Sequence, residues 1–180
     1  MGRLYDQIDD RMRDFLESQP VFFVGTAPSR GGHVNVSPKG LDSFRVLGPR
    51  RVGYLDLTGS GAETIAHIRD DGRVTMMFCS FDHRPRIVRL QGRGSVVTID
   101  DLRFCDAVEP FPVLRGARAV IEVEVDRIAD SCGYAVPRMD LVEPRPTLAE
   151  WTERRNDDEL VGYRATMNAL SIDGLPALGG

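Results

Sequence analysis

Val21-Phe22-Phe23-Val24-Gly25-Thr26-Ala27, a Pro28-Ser29-Arg30-Gly31-Gly32 turn, and then His33-Val34-Asn35-Val36-Ser37-Pro38-Lys39-Gly40 make up the stretch that decides the fold. Two runs of β-branched and aromatic residues parted by turn formers read as a β-hairpin. The same pattern continues through Phe44 to Leu47, a Gly48-Pro49 turn, and Arg51 to Leu57. Further strands are expected at Arg73 to Cys79 and at Ile87 to Ile99, the latter interrupted by Gly92 and Gly94 as a bulge or bend would be. In Ala119 to Val125, residues Ile121, Val123 and Val125 face one way and Glu122 and Glu124 the other, so that strand has one wet face.

Helical spacing brackets these strands. Leu4, Ile8, Met12, Phe15 and Leu16 predict an amphipathic helix over residues 3–19, ended by Pro20, within an N-terminal segment 1–20. A short helix is expected over Ala62 to Arg69. The Pro-bearing stretch 131–146 reads as a loop, and Thr147 to Glu150 as a capping box opening a C-terminal helical segment, 147–170. The polar run Arg154 to Glu159 is the place where that segment would break in two. Residues 1–180 thus form one α+β domain, with an antiparallel sheet curled into a small barrel and helices flanking it.

Composition narrows the function classes. With 42% hydrophobic and 28% charged residues the chain fits a soluble globular protein, and no apolar run approaches the length of a membrane span. The first residues lack an apolar signal core, so a cytoplasmic location is expected, with no membrane partner. A net charge of −4 argues against a nucleic-acid surface. Cys79, Cys105 and Cys132 form no CxxC and read as reduced core residues; three scattered histidines without HxH or HExxH give no metal site. Lys39 is the one lysine among 23 basic residues, which marks it as a position suited to a compact ammonium charge.

Three segments can carry chemistry. Strand alternation puts His33, Asn35 and Ser37 on one face and delivers Lys39 at the strand's end, a polar row suited to a planar polar ligand or to a solvated edge. Thr58-Gly59-Ser60-Gly61 leads from a strand into the short helix: it is either an anion seat, with Thr58, Ser60 and Thr64 hydroxyls nearby, or a plain capping box from Ser60 to Glu63. Arg84, Arg86, Arg89, Gln91 and Arg93 form a third group, in which Arg89, Gln91 and Arg93 share a strand face and can supply charge-assisted hydrogen bonds to an anion or stay wet. There is no GxSxG turn, no GxxxxGK[ST] and no GxGxxG.

Taken in order, VFFVGTA, HVNVSPKG, RVGYLDL with its TGSG turn, ETIAHI and GRVTMMF resemble the pyridoxamine 5′-phosphate oxidase-like superfamily of flavin-binding split barrels. The resemblance implies a six-stranded antiparallel split β-barrel, a homodimer, and FMN held between the two subunits. It implies that Asn35, Ser37 and Lys39 contact the flavin, that Thr58, Gly59, Ser60 and Thr64 contact its phosphate, and that Arg86 is the basic residue on the strand after GRVTMMF. Ala62, Glu63 and Thr64 stand where the true oxidases offer a serine and two basic residues. No histidine follows His83, so the oxidases' C-terminal Arg-x-His pair is missing. The resulting expectation is an FMN-dependent oxidoreductase acting on a small organic substrate other than pyridoxamine phosphate, with no catalytic side chain assigned. Two alternatives are a deazaflavin coenzyme in a groove bordered by Arg84, Arg86 and Arg93, and a non-catalytic flavin or haem carrier or sensor. On the leading reading, Lys39→Met weakens cofactor binding by roughly 1.5–3 kcal/mol and leaves thermal stability nearly unchanged.

Overall fold

In the computed structural model, which describes residues 2–178, alternating burial runs down the strands. Strand β1 is Leu4–Tyr5; β2, Val21–Thr26, buries Phe22, Val24 and Thr26 and turns Val21, Phe23 and Gly25 outward. The others are β3 (Asn35–Gly40), β4 (Phe44–Gly48), β5 (Arg51–Leu57), β6 (Arg73–Cys79), β7 (Ile87–Thr98) and β8 (Ala117–Ser131). All pairings are antiparallel, in the order β3-β2-β6-β7-β8-β5-β4, with β1 beside β8. The split-barrel architecture is as expected. The strand count is eight where six were implied, since the seven segments legible in the sequence all form and the two-residue β1 joins them.

The sheet curls because its two arms share one core. Phe22 of β2 and Phe78 of β6 meet Phe44 of β4 at centroid distances of 5.5 and 4.8 Å, and Tyr54 of β5 lies 5.6 Å from Phe22. These edge-on and tilted contacts bury large apolar surfaces from opposite ends of the strand order. The bend in β7 falls where the sequence marks it. The register with β8 shifts between Gln91 and Gly92, and a Cβ at Gly92 would stand 1.9 Å from the Glu124 carbonyl oxygen, so only glycine fits the bulge.

Several helix boundaries differ from expectation. Helix α1 spans Asp10–Glu17 in place of 3–19: Leu4 and Tyr5 are drawn into pairing with Ala129 and Ile128, and the Asp9 carboxylate accepts from the Met12 amide, fixing the start. Helix α2, Glu63–Asp70, buries Ile65, Ala66, His67 and Ile68 against the sheet. Its N-cap is Ala62, without a side-chain cap. The Ser60–Glu63 box does not form, because the Glu63 carboxylate instead accepts from the Ile172 amide. A short helix α3, Phe104–Val108, was not legible. The C-terminal segment does divide, into α4 (Thr147–Glu153) and α5 (Asp157–Met167). Thr147 already lies inside α4, so the expected box there is absent; the capping box that does form is Asn156 with Glu159, at the break itself. Among the cysteines only Cys79 is buried; Cys105 and Cys132 are free and exposed, contrary to their reading as core residues. Among the described residues no helix is long and apolar enough to cross a membrane.

Candidate functional site

Strand β3 is amphipathic in an inverted sense. Asn35, Ser37 and Lys39 point inward, whereas Val34 and Val36 are 75% and 64% exposed and Pro38 is exposed beside them. The inward row meets α2. The Asn35 amide donates to Ser37 Oγ at 3.1 Å and Thr64 Oγ1 at 3.2 Å, with Thr26 Oγ1 at 3.4 Å, and Ser37 Oγ donates back to Asn35 Oδ1 at 3.2 Å. Thr26 Oγ1 in turn hydrogen-bonds His67 Nδ1 at 3.1 Å; His67 is fully buried and its Nε2 has no partner among the described residues. The structure therefore brings Asn35, Ser37 and Thr64 together. His33, expected on the same face, lies outside β3, where its backbone N–H and its ring are bonded to Asp173 at 2.8 Å.

Lys39 is engaged. Its Nζ lies 2.7 Å from Oδ1 of Asp56, a fully buried β5 carboxylate whose Oδ2 accepts from Arg118 Nε of β8, also at 2.7 Å. Burial alone would push the Asp56 carboxyl up; the adjacent Lys39 and Arg118 charges and their hydrogen bonds outweigh it, and the net shift is downward. The Lys39 ammonium also sits 5.6 Å from the Tyr54 ring centroid. Burial raises the Tyr54 phenol well above its ordinary range, with the Asp56 charge adding to the effect. Lys39 thus closes the seam between β3 and β5 with an ion pair. This pairing argues against the expectation that Lys39 can be removed without loss of stability.

The Thr58–Gly61 turn is gripped from behind by distant residues. Thr58 is fully buried, its Oγ1 donating to the Gly116 carbonyl at 2.8 Å and accepting from Arg164 Nε at 2.9 Å. Asn168 Nδ2 donates to the Gly59 carbonyl and Arg118 Nη2 to that of Gly61, at 2.8 and 2.7 Å. Ser60 stays exposed. Lys39, Arg118 and Arg164 thus gather near one turn, where Asp56, paired with Lys39 and Arg118, is the one carboxylate ion-paired to any of them among the described residues. Positive charge that the local sequence lacks at Ala62, Glu63 and Thr64 arrives from β8 and α5. Asp56 and Arg118 were missed by sequence reasoning, although each is a charge inside an otherwise apolar strand, a pattern that signals a buried pair.

Lys39 and the turn open onto a cleft of about 880 Å³. One wall is Pro38 to Leu41; the floor is Thr58 to Ser60; the other wall is Leu148, Trp151 and Tyr163 from the C-terminal helices. Trp151 and Tyr163 meet edge to face at 5.0 Å, and the Arg155 guanidinium covers the indole at 3.8 Å. Arg86 lies elsewhere within the chain, in a hollow with Arg84 and Cys132, over the Phe15 ring at 4.8 Å and 3.6 Å from Asp130. Arg93 does not border that hollow; it donates to the Asp71 carbonyl, while Arg89 and Gln91 bond to Ser131 and Arg127. No group of three or more His, Cys, Asp or Glu among the described residues is placed to hold a metal ion.

The family model described as pyridoxamine 5′-phosphate oxidase matches residues 8–132. The chain belongs to the pyridoxamine 5′-phosphate oxidase family. A curated relative, the pyridoxamine 5′-phosphate oxidase family protein ustO of Aspergillus flavus, is 47% identical over 99% of this chain and 78% of its own length. The crystal structure of HupZ from Group A Streptococcus aligns over 74% of this chain and 99% of its own, with 20% identity and a TM-score of 0.54. A FAD-binding protein of Mesorhizobium loti aligns over 72% and 96%, with 12% identity and a TM-score of 0.51. These likenesses carry the fold. The family match ends at Cys132, so Leu148, Trp151 and Tyr163, which wall the cleft, lie beyond it.

Proposed function

We propose that this protein is a homodimeric, FMN-dependent oxidoreductase of the pyridoxamine 5′-phosphate oxidase family, working in the cytoplasm on a small organic substrate other than pyridoxamine phosphate. The observation that carries the reading is the cleft in which Lys39 and Thr58 to Ser60 meet an aromatic wall. Its volume falls in the range of small-molecule and cofactor sites, so a tricyclic ring fits. Lys39, which lines the cleft beside Thr58 to Ser60, suits a phosphate-bearing ligand even without basic residues at 62–64. The family's flavin-binding members and the FAD-binding structural neighbour support the same cofactor class.

A bound flavin supplies two-electron transfer. This chain's residues supply position and charge. Lys39 is held rigid by Asp56, so its ammonium is a fixed positive charge at the cleft edge that stabilises negative charge on a bound ring. Trp151 and Tyr163 form an apolar wall that would exclude water from that side of the cleft. The backbone at half-buried Gly59 and exposed Ser60 offers donors to a phosphate, whereas the Thr58 hydroxyl is committed to Gly116 and serves the turn's shape. Asn35, Ser37 and Thr64 brace α2 against β3, next to the cleft. The outward Val36 of β3 and Val34 just before it support a second copy on that face, since exposed apolar residues on an edge strand otherwise invite pairing. Reduced thiols fit a cytoplasmic setting.

The test is titration of purified protein with FMN, followed by the flavin's visible spectrum and by quenching of Trp151, the sole tryptophan. Saturation at micromolar FMN with one flavin per chain is expected; no bound flavin at that concentration removes the reading. The Arg84–Arg86 hollow favours, as a second reading, a deazaflavin coenzyme with a longer acidic tail, and a parallel titration separates the two. Asp56's hold on Lys39 favours a third, a carrier or sensor, which binds flavin or haem yet turns over no common donor.

A further inference from the structure

A second cavity, of about 600 Å³, opens between α3, β8 and α5, on the far side of the Thr58 turn from the cleft. Its walls are apolar, formed by Leu55, Phe104, Val108, Phe111 and Leu160. Two cations line it: Arg115 at the mouth, and the half-buried Arg164, whose Nε donates to Thr58 Oγ1 at 2.9 Å and whose Nη2 makes only a long contact, 3.4 Å, to the Ala117 carbonyl. No carboxylate lies within ion-pairing distance of Arg164 among the described residues, and its Nη1 makes no hydrogen bond there. Burial, and secondarily the neighbouring Arg118 charge, disfavour its charged form. A guanidinium stays protonated in a protein, so this half-buried charge, with Nη1 free of any partner among the described residues, is placed to receive an anion in the cavity.

We propose that this cavity binds a monocarboxylate with a hydrocarbon body, its carboxylate on the Arg164 guanidinium and its chain among Leu55, Phe104 and Phe111. The chemistry follows from three features. An apolar enclosure of this size rewards burial of a hydrocarbon. The guanidinium fork matches a carboxylate. Glu109 and Asp157 at the mouth, the latter already 3.2 Å from Arg115, disfavour a ligand with a second negative charge. The site does not depend on flavin binding. It abuts the cleft through the shared Thr58 hydroxyl.

Isothermal titration of the full chain with sodium octanoate, set against octan-1-ol, tests it. Octanoate is expected to bind with one site per chain, at least tenfold more tightly than the alcohol. Arg164→Gln is expected to weaken octanoate binding tenfold or more, with Arg164→Lys recovering part of the loss. Because Arg164 also holds Thr58, a second variant guards against misfolding: Val161→Asp, on the exposed face of α5 at the cavity mouth, should repel octanoate with an unchanged melting temperature. Failure of octanoate to bind at millimolar concentration overturns the proposal. So does equal binding of acid and alcohol, or undiminished octanoate binding in folded Arg164→Gln or Val161→Asp.

Discussion

Replacing Lys39 by Met removes one of two cations from a carboxylate that is 1% exposed. The Met side chain fills similar volume, so the cost is electrostatic. Breaking a buried ion pair from one side costs about 3–5 kcal/mol, because the remaining charge is left uncompensated in a poorly solvated place. Here Arg118 still holds Asp56 Oδ2, and the Lys39 side chain is itself 20% exposed, so the low end applies, ~3 kcal/mol. For a chain of 180 residues that corresponds to a fall in Tm of about 6–12 °C. Thermal unfolding followed by circular dichroism, without flavin, reads it directly. The double variant Lys39→Met/Asp56→Leu removes the orphaned acid but leaves Arg118 unpaired, so the two substitutions should be strongly non-additive. A Lys39→Met protein melting within 2 °C of wild type, or strict additivity in the double variant, would refute the argument that this pair closes the seam.

Three further outcomes follow. Because the folded protein holds the Asp56 carboxyl below its ordinary 3.8, the stability it contributes is complete above that pH and is lost as pH falls through the lower folded value; Asp56→Asn should flatten the acid limb of stability measured by urea unfolding against pH. Val36→Glu puts a charge on the outward face of β3 and should convert the proposed dimer to a monomer in light scattering, with the Tm of the isolated fold little changed; a dimer that persists would place the interface elsewhere. Gly92→Ala drives a methyl group into the Glu124 carbonyl and should destabilise by about 2 kcal/mol or more in denaturant unfolding, whereas Gly162→Ala, with open space around it in α5, should be neutral or stabilising.

How much of this was readable beforehand depends on the range of the interaction involved. The strands were legible at Val21 to Thr26 and Arg73 to Cys79 because a half-buried strand leaves a period-two trace, and the bulge at Gly92 showed as a glycine inside such a trace. The N-terminal helix was overextended because Leu4 has the helical spacing, while its actual partner, Ala129, is 125 positions away. The capping box expected at Thr147 and the one open as an alternative at Ser60 both satisfy the rule locally, yet a tertiary contact from Ile172 takes Glu63, and Thr147 stands one position too late.

The site divides the same way. Residue types along β3 alone determined that Asn35, Ser37 and Lys39 share a face, and the motif order alone pointed to the family, since alternation and local turn chemistry are properties of neighbouring residues. That this face looks inward, that Lys39 is paired with Asp56, and that Arg118, Arg164, Trp151 and Tyr163 converge on the turn at Thr58 were decided only when the chain closed. Coulombic attraction and desolvation act through space: Asp56 is charged in its buried setting because two cations from remote strands reach it, and no stretch of sequence around Asp56 contains them both.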